Sequence, residues 1–367
     1  TYNPSAAAEE LFYDAVDMLN AKGKRPVIVI AGNHDSPERL CAASALAYKN
    51  GIILLGYPNS DPGIYGVNTG HIKLVDSGPG WIELGLSSCR QSVVVLTMPY
   101  PSEARLEEVL SQDVGEKELQ IAYSDKIGSL FGRLGEKFRK DTINLVMSHL
   151  FLMGGRESDS ERTLQVGGAL TVNPTMLPTN AHFAALGHLH RPQSIRNASC
   201  PAFYSGSPLA YSFSEAGYSK AAYIVDAVPG KEADIKEVFL DCGKPLRRWE
   251  AKEGIIQAIE WCEMGRDKNA WVDLEILTDR PLAMEEQKRL RQLHPGIINI
   301  RPRFKSEIEE EVAFENRENR KIDELFKEFY RSRVGVEISE ELMSIFLNVL
   351  NDEDSTNELG DLENEDD

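Results

Sequence analysis

Apolar residues along this chain follow two rhythms, helical spacing and short unbroken runs, and the switches between them mark the elements. Ser5 is placed to cap a helix from Pro4 to Leu19, in which Leu11, Phe12, Ala15, Val16 and Leu19 recur at helical spacing. After Arg25-Pro26 comes Val27-Ile28-Val29-Ile30-Ala31, a continuous β-branched run of the kind found in strands buried on both faces. It stops in Gly32-Asn33-His34-Asp35-Ser36-Pro37, all turn chemistry, before a helix expected from Glu38 to Tyr48. The same event occurs twice more. Ile143 to Met147 predicts a buried strand ending in Ser148-His149, and His182 to Leu186 another ending in Gly187-His188-Leu189-His190. Gln91 to Met98 predicts a further strand, Leu106–Leu110 and Asp125–Arg139 helices, and Gly155–Gly168 a polar loop. In open α/β sheets ligands gather beyond the carboxyl ends of strands, so three histidine-bearing loops of this kind can converge on one site.

After a strand at Ala221–Asp226 the pattern changes, with a boundary read at Val228-Pro229-Gly230. From Ile235 to Phe304, strands (Val238–Leu240, Trp271–Leu277, Ile297–Ile300) alternate with helices (Gly254–Cys262, Met284–Leu293), the pattern of a compact α+β module. Two amphipathic helices follow, Lys321–Ser332 and Ile338–Leu350, the second with Leu342, Ile345, Phe346, Val349 and Leu350 on one side.

With 367 residues, 42% of them hydrophobic, the chain is long enough for one large core and a smaller domain. No run approaches the roughly 20 apolar residues that span a bilayer, and the first residues carry no signal core, so the expected location is the cytoplasm, with no membrane partner. Cys41, Cys89, Cys200, Cys242 and Cys262 lie far apart with no CxxC pair, which predicts reduced, buried thiols. The formal charge of −18 argues against a nucleic-acid partner at first sight. However, Asn351–Asp367 holds nine acidic residues and no basic one, a tail that composition predicts to be disordered. A protein that grips phosphates through metal ions also needs fewer lysines and arginines.

Of seven histidines, His34, His149, His188 and His190 stand just after buried strands. A lone histidine there is more often structural, but four together suit a metal centre. Neutral imidazoles and an amide carbonyl are suitable ligands for manganese, iron or zinc, and a His-x-His pair on extended backbone puts both rings on one face.

Gly32-Asn33-His34-Asp35, Ser148-His149 and Gly187-His188-Leu189-His190, in that order and each after its strand, resemble the motifs of the calcineurin-like metallophosphoesterases. Within that superfamily, Asn3-Pro4-Ser5, Glu9-Glu10-Leu11-Phe12, Val27 to Leu40, Ser205-Gly206-Ser207-Pro208-Leu209 and Ser212-Phe213-Ser214-Glu215 are similar to the SbcD, Mre11-type nuclease family. The resemblance runs through most of the catalytic domain and more loosely to about Leu350. It implies an α/β fold, a calcineurin-like metallophosphoesterase sandwich of two mixed sheets flanked by helices. A small α+β capping domain and C-terminal helices follow. The domain plan is then 1–228 nuclease, 229–304 capping, 305–350 helical ATPase-docking segment and 351–367 tail.

The resemblance also implies the chemistry. Asn33, His149 and His188 would hold one divalent metal and His190 a second, Mn2+ by preference, about 4 Å away. His34 would stay free of the metals and protonate the leaving sugar oxygen. Asp35 would either orient His34 or cap the helix at Glu38. The implied activity is a 3'-5' exonuclease on duplex ends and an endonuclease on single strands and hairpins. Its implied setting is a homodimer with an SbcC/Rad50-like ATPase, in DNA repair, recombination and replication, with Pro4–Leu19 and Glu38–Tyr48 as the dimer surface. The last helix would either dock on that ATPase or pack on the second domain. The histidines by themselves support only metal-dependent phosphoester hydrolysis, so a small-molecule phosphodiesterase of the same fold and a catalytically silent scaffold are the competing readings. The family pattern also has an Asp-x-His and a Gly-Asp, on strands ahead of the segment that Thr1-Tyr2-Asn3-Pro4 matches. Neither stands there in this chain. The expectation is a strand-helix-strand unit of about 30 to 60 residues before Thr1, and poor metal retention and activity without it.

Overall fold

A computed structural model of the chain describes residues 2–64, 66–106, 116–161 and 171–304, with scattered positions between 326 and 346. Helix α1 (Ala6–Asn20) starts where Ser5 Oγ accepts from the Ala8 amide and stops where Ala21 turns left-handed, at φ 53°. Of its expected apolar stripe Val16 is buried, whereas Leu11 and Leu19 are exposed. Strand β1 (Val27–Ile30) leads into the Gly32–Ser36 turn. The helix expected from Glu38 to Tyr48 is broken into α2 (Pro37–Cys41) and α3 (Ser44–Ala47), then a 3-10 turn. Strand β2 (Ile52–Leu55) returns parallel to β1, pairing Val27 with Ile52 and Ile30 with Leu55.

The centre of the first unit is a seven-stranded mixed sheet. Its strands in chain order begin with β3 (Ile72–Gly78), β4 (Trp81–Leu86) and β5 (Val93–Met98). Helices α4 (Glu103–Leu106) and α5 (Glu116–Gly135) precede β6 (Ile143–His149). A small parallel pair, β7 (Phe151–Leu152) and β8 (Thr171–Val172), stands apart from the sheet. The sheet then takes in β9 (Phe183–Gly187), β10 (Gln193–Ser194) and β11 (Ala202–Tyr204), in the spatial order β10-β11-β9-β6-β5-β4-β3. Strands β5, β6, β9 and β11 are mutually parallel.

Alternate residues of β5 explain its unbroken apolar run. Val94, Leu96 and Met98 face a core with Tyr123, Ile127 and Phe131 of α5, while Val93 and Val95 face a second core with Ile53 and Leu55 of β2. A strand covered on both faces needs apolar side chains at every position. Of the two mixed sheets expected, the large one is mixed, and β1 and β2 form a separate, purely parallel pair among the described residues.

Strands β12 (Lys220–Asp226) and β13 (Asp234–Leu240) form an antiparallel hairpin, and the Lys231 amide bonds the Val228 carbonyl across the Pro229-Gly230 turn. The Pro-Gly that reads in sequence as a boundary is therefore a tight turn, and the compact units divide at Arg248/Trp249, with 269–271 joining the first. The later elements are β14 (Leu246–Ala251), which runs across that division, α6 (Ile255–Glu263), β15 (Trp271–Thr278), α7 (Met284–Leu293) and β16 (Ile297–Phe304). They form a three-stranded sheet, β14-β15-β16, with two helices. The second unit buries Trp249, Ala258, Leu274, Ile276 and Leu290.

Of the helices expected at Lys321–Ser332 and Ile338–Leu350, only scattered residues are described, and the rings of Phe326 and Phe346 stack at 3.5 Å. The rest of 305–350, the acidic tail, Glu107 to Leu110 and the loop from 162 to 168 lie outside the described residues. The five cysteines carry no disulfide; Cys200 and Cys262 are buried as expected, but Cys41 and Cys89 are only partly so and Cys242 is exposed. No helix among the described residues is long and apolar enough to cross a membrane.

Candidate metal centre

The parallel register of β6 and β9 sets His149 directly opposite Gly187, so two of the three histidine-bearing strand ends meet by backbone pairing alone. The third comes from β1, whose turn is held by Ala31 accepting from the Tyr100 amide and by Gly32 donating to Asp35 Oδ2 at 2.8 Å. Asp35 thus closes its own turn. The cap of the following helix is Ser36, whose Oγ accepts from the Arg39 amide.

The His149 ring fits between two glycines. A Cβ at Gly32 would lie 2.6 Å from His149 Cε1, and one at Gly187 would lie 2.8 Å from Nδ1. Neither glycine has a positive φ, so the two motif glycines are required by space and not by backbone conformation. Across the gap, His149 Nε2 meets Asn33 Oδ1 at 3.0 Å. The His149 and His188 rings stand edge to face at 5.5 Å. His188 is buried at 7% exposure, with a φ of 110° that a non-glycine residue adopts only under strain. That angle corrects the expected extended His-x-His: the chain bends at His188, and Leu189 between the pair is buried at 1% exposure.

Both rings are neutral. Burial drives His149 down to about 3, helped by the neighbouring charge of His188, and burial drives His188 down to about 4 against the opposing pull of Glu161. His188 Nε2 is buried without a hydrogen-bond partner, as is Asn33 Nδ2. An imidazole nitrogen with a free lone pair and no donor facing it is what a cation would satisfy. The 3.0 Å between Asn33 Oδ1 and His149 Nε2 also equals the separation of two ligands at right angles on a cation with bonds of about 2.1 Å. The residues present therefore fit one cation at Asn33, His149 and His188. Asn33 Nδ2, a donor, suits an anionic oxygen instead. Among the described residues, no three His, Cys, Asp or Glu side chains form a group that could hold a metal ion.

His190 lies in a different setting. Its Nδ1 is 2.6 Å from Ser160 Oγ, its amide donates to Glu161 Oε1 at 2.7 Å, and its carbonyl accepts from Lys220 Nζ at 3.0 Å. Ser160 Oγ also donates to Glu215, whose carboxylate is buried and paired with Lys220. Ser160 has a single proton and a carboxylate is its stronger acceptor, so Nδ1 of His190 must be the donor. That tautomer leaves Nε2 with the lone pair a metal would need. His34 is exposed and close enough for its charge to depress both His149 and His188.

Sequence reasoning missed the groups behind these residues. Arg105 Nη1 and Nη2 donate to the carbonyls of Gly32 at 3.0 Å and Asp35 at 2.7 Å, straddling the His34 turn, and the guanidinium lies over the Tyr100 ring. Ser160, Glu161, Glu215 and Lys220 hold His190 in the same way. Glu215 closes the Ser212-Phe213-Ser214-Glu215 string, but none of the others carries a local signal.

A family model described as the Type 5 capsule protein repressor C-terminal domain, SbcD_C, matches residues 242–334. The SbcD subunit of nuclease SbcCD from Bacillus subtilis (strain 168) is 46% identical over 348 residues, covering 95% of this chain and 84% of the relative. The same subunit from Staphylococcus epidermidis is 28% identical over 302 residues, 82% of this chain and 71% of the relative. With nearly half its residues shared along almost its whole length, the chain belongs to the SbcD family of nuclease SbcCD subunits.

Proposed function

We propose that this protein is the nuclease subunit of an SbcCD-type complex and hydrolyses DNA phosphodiester bonds with two divalent metal ions, Mn2+ by preference. The carrying observation is the convergence of Asn33, His149 and His188, with both imidazoles neutral and one buried nitrogen lacking any partner. Asn33, His149 and His188 would hold one ion and His190, through Nε2, the second. Ions so held supply an activated water and neutralise the phosphate charge.

The chain's own residues do the rest. Neutral rings at physiological pH need lose no proton before binding a cation. Gly32 and Gly187 fix the His149 plane, and the Ser160–Glu215–Lys220 series fixes the His190 tautomer. His34, exposed at the mouth, gives its proton to the departing sugar oxygen as the P–O bond breaks. Arg105 keeps that imidazole in place by anchoring the carbonyls on either side of it.

The substrates in this reading are DNA ends, cut 3' to 5', and single strands or hairpins. The partners are an SbcC/Rad50-like ATPase, docked through 305–350, and a second copy of the chain. Support for the partner comes from the relatives' being named as subunits of nuclease SbcCD. Support for the second copy comes from α1, which leaves Leu11, Met18 and Leu19 exposed at 70%, 76% and 59%, two turns apart on one side.

The test is a cleavage assay on end-labelled linear duplex and hairpin DNA, with the full-length natural protein and Mn2+. Wild type should cut, and His34→Gln should lose cleavage at least ~100-fold while binding Mn2+ and DNA as before. Loss of Mn2+ binding in that variant would move His34 into the metal shell. Hydrolysis of small diesters without DNA cleavage would move the protein to another substrate class.

A further inference from the structure

The segment that follows His190 in the chain helps line a cleft of about 870 Å3 in the first unit, and three of the lining residues are Arg156, Arg191 and Arg196. They come from three separate segments. Arg156 follows β7, Arg191 follows His190, and Arg196 sits in the turn between β10 and β11. Among the described residues, no carboxylate lies within 4 Å of any of the three guanidiniums. In a protein of formal charge −18 such a grouping is unexpected on composition alone.

The backbone around these arginines is fastened independently of their charges. Gln193 Oε1 accepts from the Arg156 amide at 2.9 Å, while its Nε2 donates to the carbonyls of Arg156 at 3.0 Å and Arg191 at 3.2 Å. One side chain therefore ties two arginine-bearing segments together through main-chain groups and leaves both guanidiniums unspent. The Arg191 guanidinium is also held over the Tyr218 ring, 4.8 Å from its centroid. Asn173 and Asn197 add neutral amides to the lining.

We infer that this cleft is a phosphate-binding track for the nucleic-acid strand leading to or from the metal centre. The inference rests on the nuclease reading above. Guanidiniums spaced over three loops suit a row of phosphates, and each planar fork can take two oxygens of one phosphate. Arg191, which lines the cleft, directly follows His190 in the chain, and in this inference a strand with its scissile bond at the histidines continues past it. The contacts are to backbone phosphates and carry affinity without base preference.

The test uses the full-length protein and a triple variant, Arg156→Gln, Arg191→Gln and Arg196→Gln, whose main-chain bonds to Gln193 are unchanged. Duplex binding is followed by anisotropy over a range of salt, and Mn2+-dependent turnover of bis(p-nitrophenyl) phosphate in parallel. The triple variant should bind duplex at least ~10-fold more weakly, with the slope of log K against log salt reduced by about 2 to 3. Its diester turnover should stay within about twofold of wild type. The corresponding triple Arg→Lys variant, which keeps the charges, should restore the slope. Unchanged DNA affinity and slope would overturn the track while leaving the nuclease reading intact. Equal losses on DNA and the small diester would place the arginines in support of the metal centre and also overturn it. A wild-type protein that turns over the diester but binds no DNA would remove the nuclease reading and the track together.

Discussion

The His149 ring lies so close to Gly32 and Gly187 that a single methyl group on either would occupy space the ring already fills. In Gly187→Ala the ring must tilt away from Asn33, and Mn2+ binding by the full-length protein, measured calorimetrically, should weaken by about 10- to 100-fold. Affinity equal to wild type would mean the ring's position does not matter for the ion. The histidines also set a pH dependence. Unfolded imidazoles titrate near 6.5, whereas folded His149 and His188 do so at about 3 and about 4. The unfolded chain therefore takes up protons first as the pH falls. The stability these rings contribute is complete above 6.5 and is lost below it, at about 1.4 kcal/mol per ring per pH unit until each folded value is reached. Imidazole resonances of His149 and His188 in the metal-free folded protein should stay flat from pH 8 to 5. A midpoint near 6.5 for either would contradict its burial.

The loop and strand elements differ in how visible they are in the sequence. Strands β5, β6 and β9 announce themselves by their apolar runs, and the ends of β6 and β9 display histidines. Strands β3 and β4 do not. Lys73 and Asp76 interrupt β3, whose register shifts between Leu74 and Asp76, and β4 carries Glu83 at 5% exposure. That carboxylate reads as a surface residue until Arg139, distant in sequence, is seen to donate two hydrogen bonds to it. Burying the charge is tolerable only with that partner. Arg105 is illegible for the same reason, since its acceptors are main-chain carbonyls 73 and 70 residues away. Arg105→Ala should loosen the His34 turn. Stability should fall by about 1 to 3 kcal/mol, and the rate of DNA cleavage at saturating substrate by about tenfold or more, with little change in KM. Arg105→Lys, which has no fork to span both carbonyls, should recover only part of that rate. Full activity in the alanine variant would show that the turn holds itself.

Acidity dominates the composition, yet nine acidic residues fall in Asn351–Asp367, and the cleft lined by Arg156, Arg191 and Arg196 holds three guanidiniums without carboxylate neighbours among the described residues. Average charge thus conceals a local surface of opposite sign. Among the exposed apolar side chains, Leu11, Met18 and Leu19 lie together on α1. Leu11→Glu with Met18→Glu should convert a dimer of the full-length protein into a monomer in light scattering, with the circular dichroism spectrum preserved. A wild-type monomer would remove the homodimer from the proposal, and a persistent dimer in the double variant would move the interface elsewhere. The two-unit division leaves the strand-end histidines, the Arg105 turn and the arginine cleft all within the first unit.

Anomalous diffraction at the manganese edge, from crystals of the full-length protein grown with Mn2+, addresses the metal centre most directly. The expected map has a peak bounded by Asn33 Oδ1, His149 Nε2 and His188 Nε2, with a second near His190 Nε2. A map with no peak at the first position, or with manganese only at sites remote from these side chains, would contradict a metal centre at the strand ends.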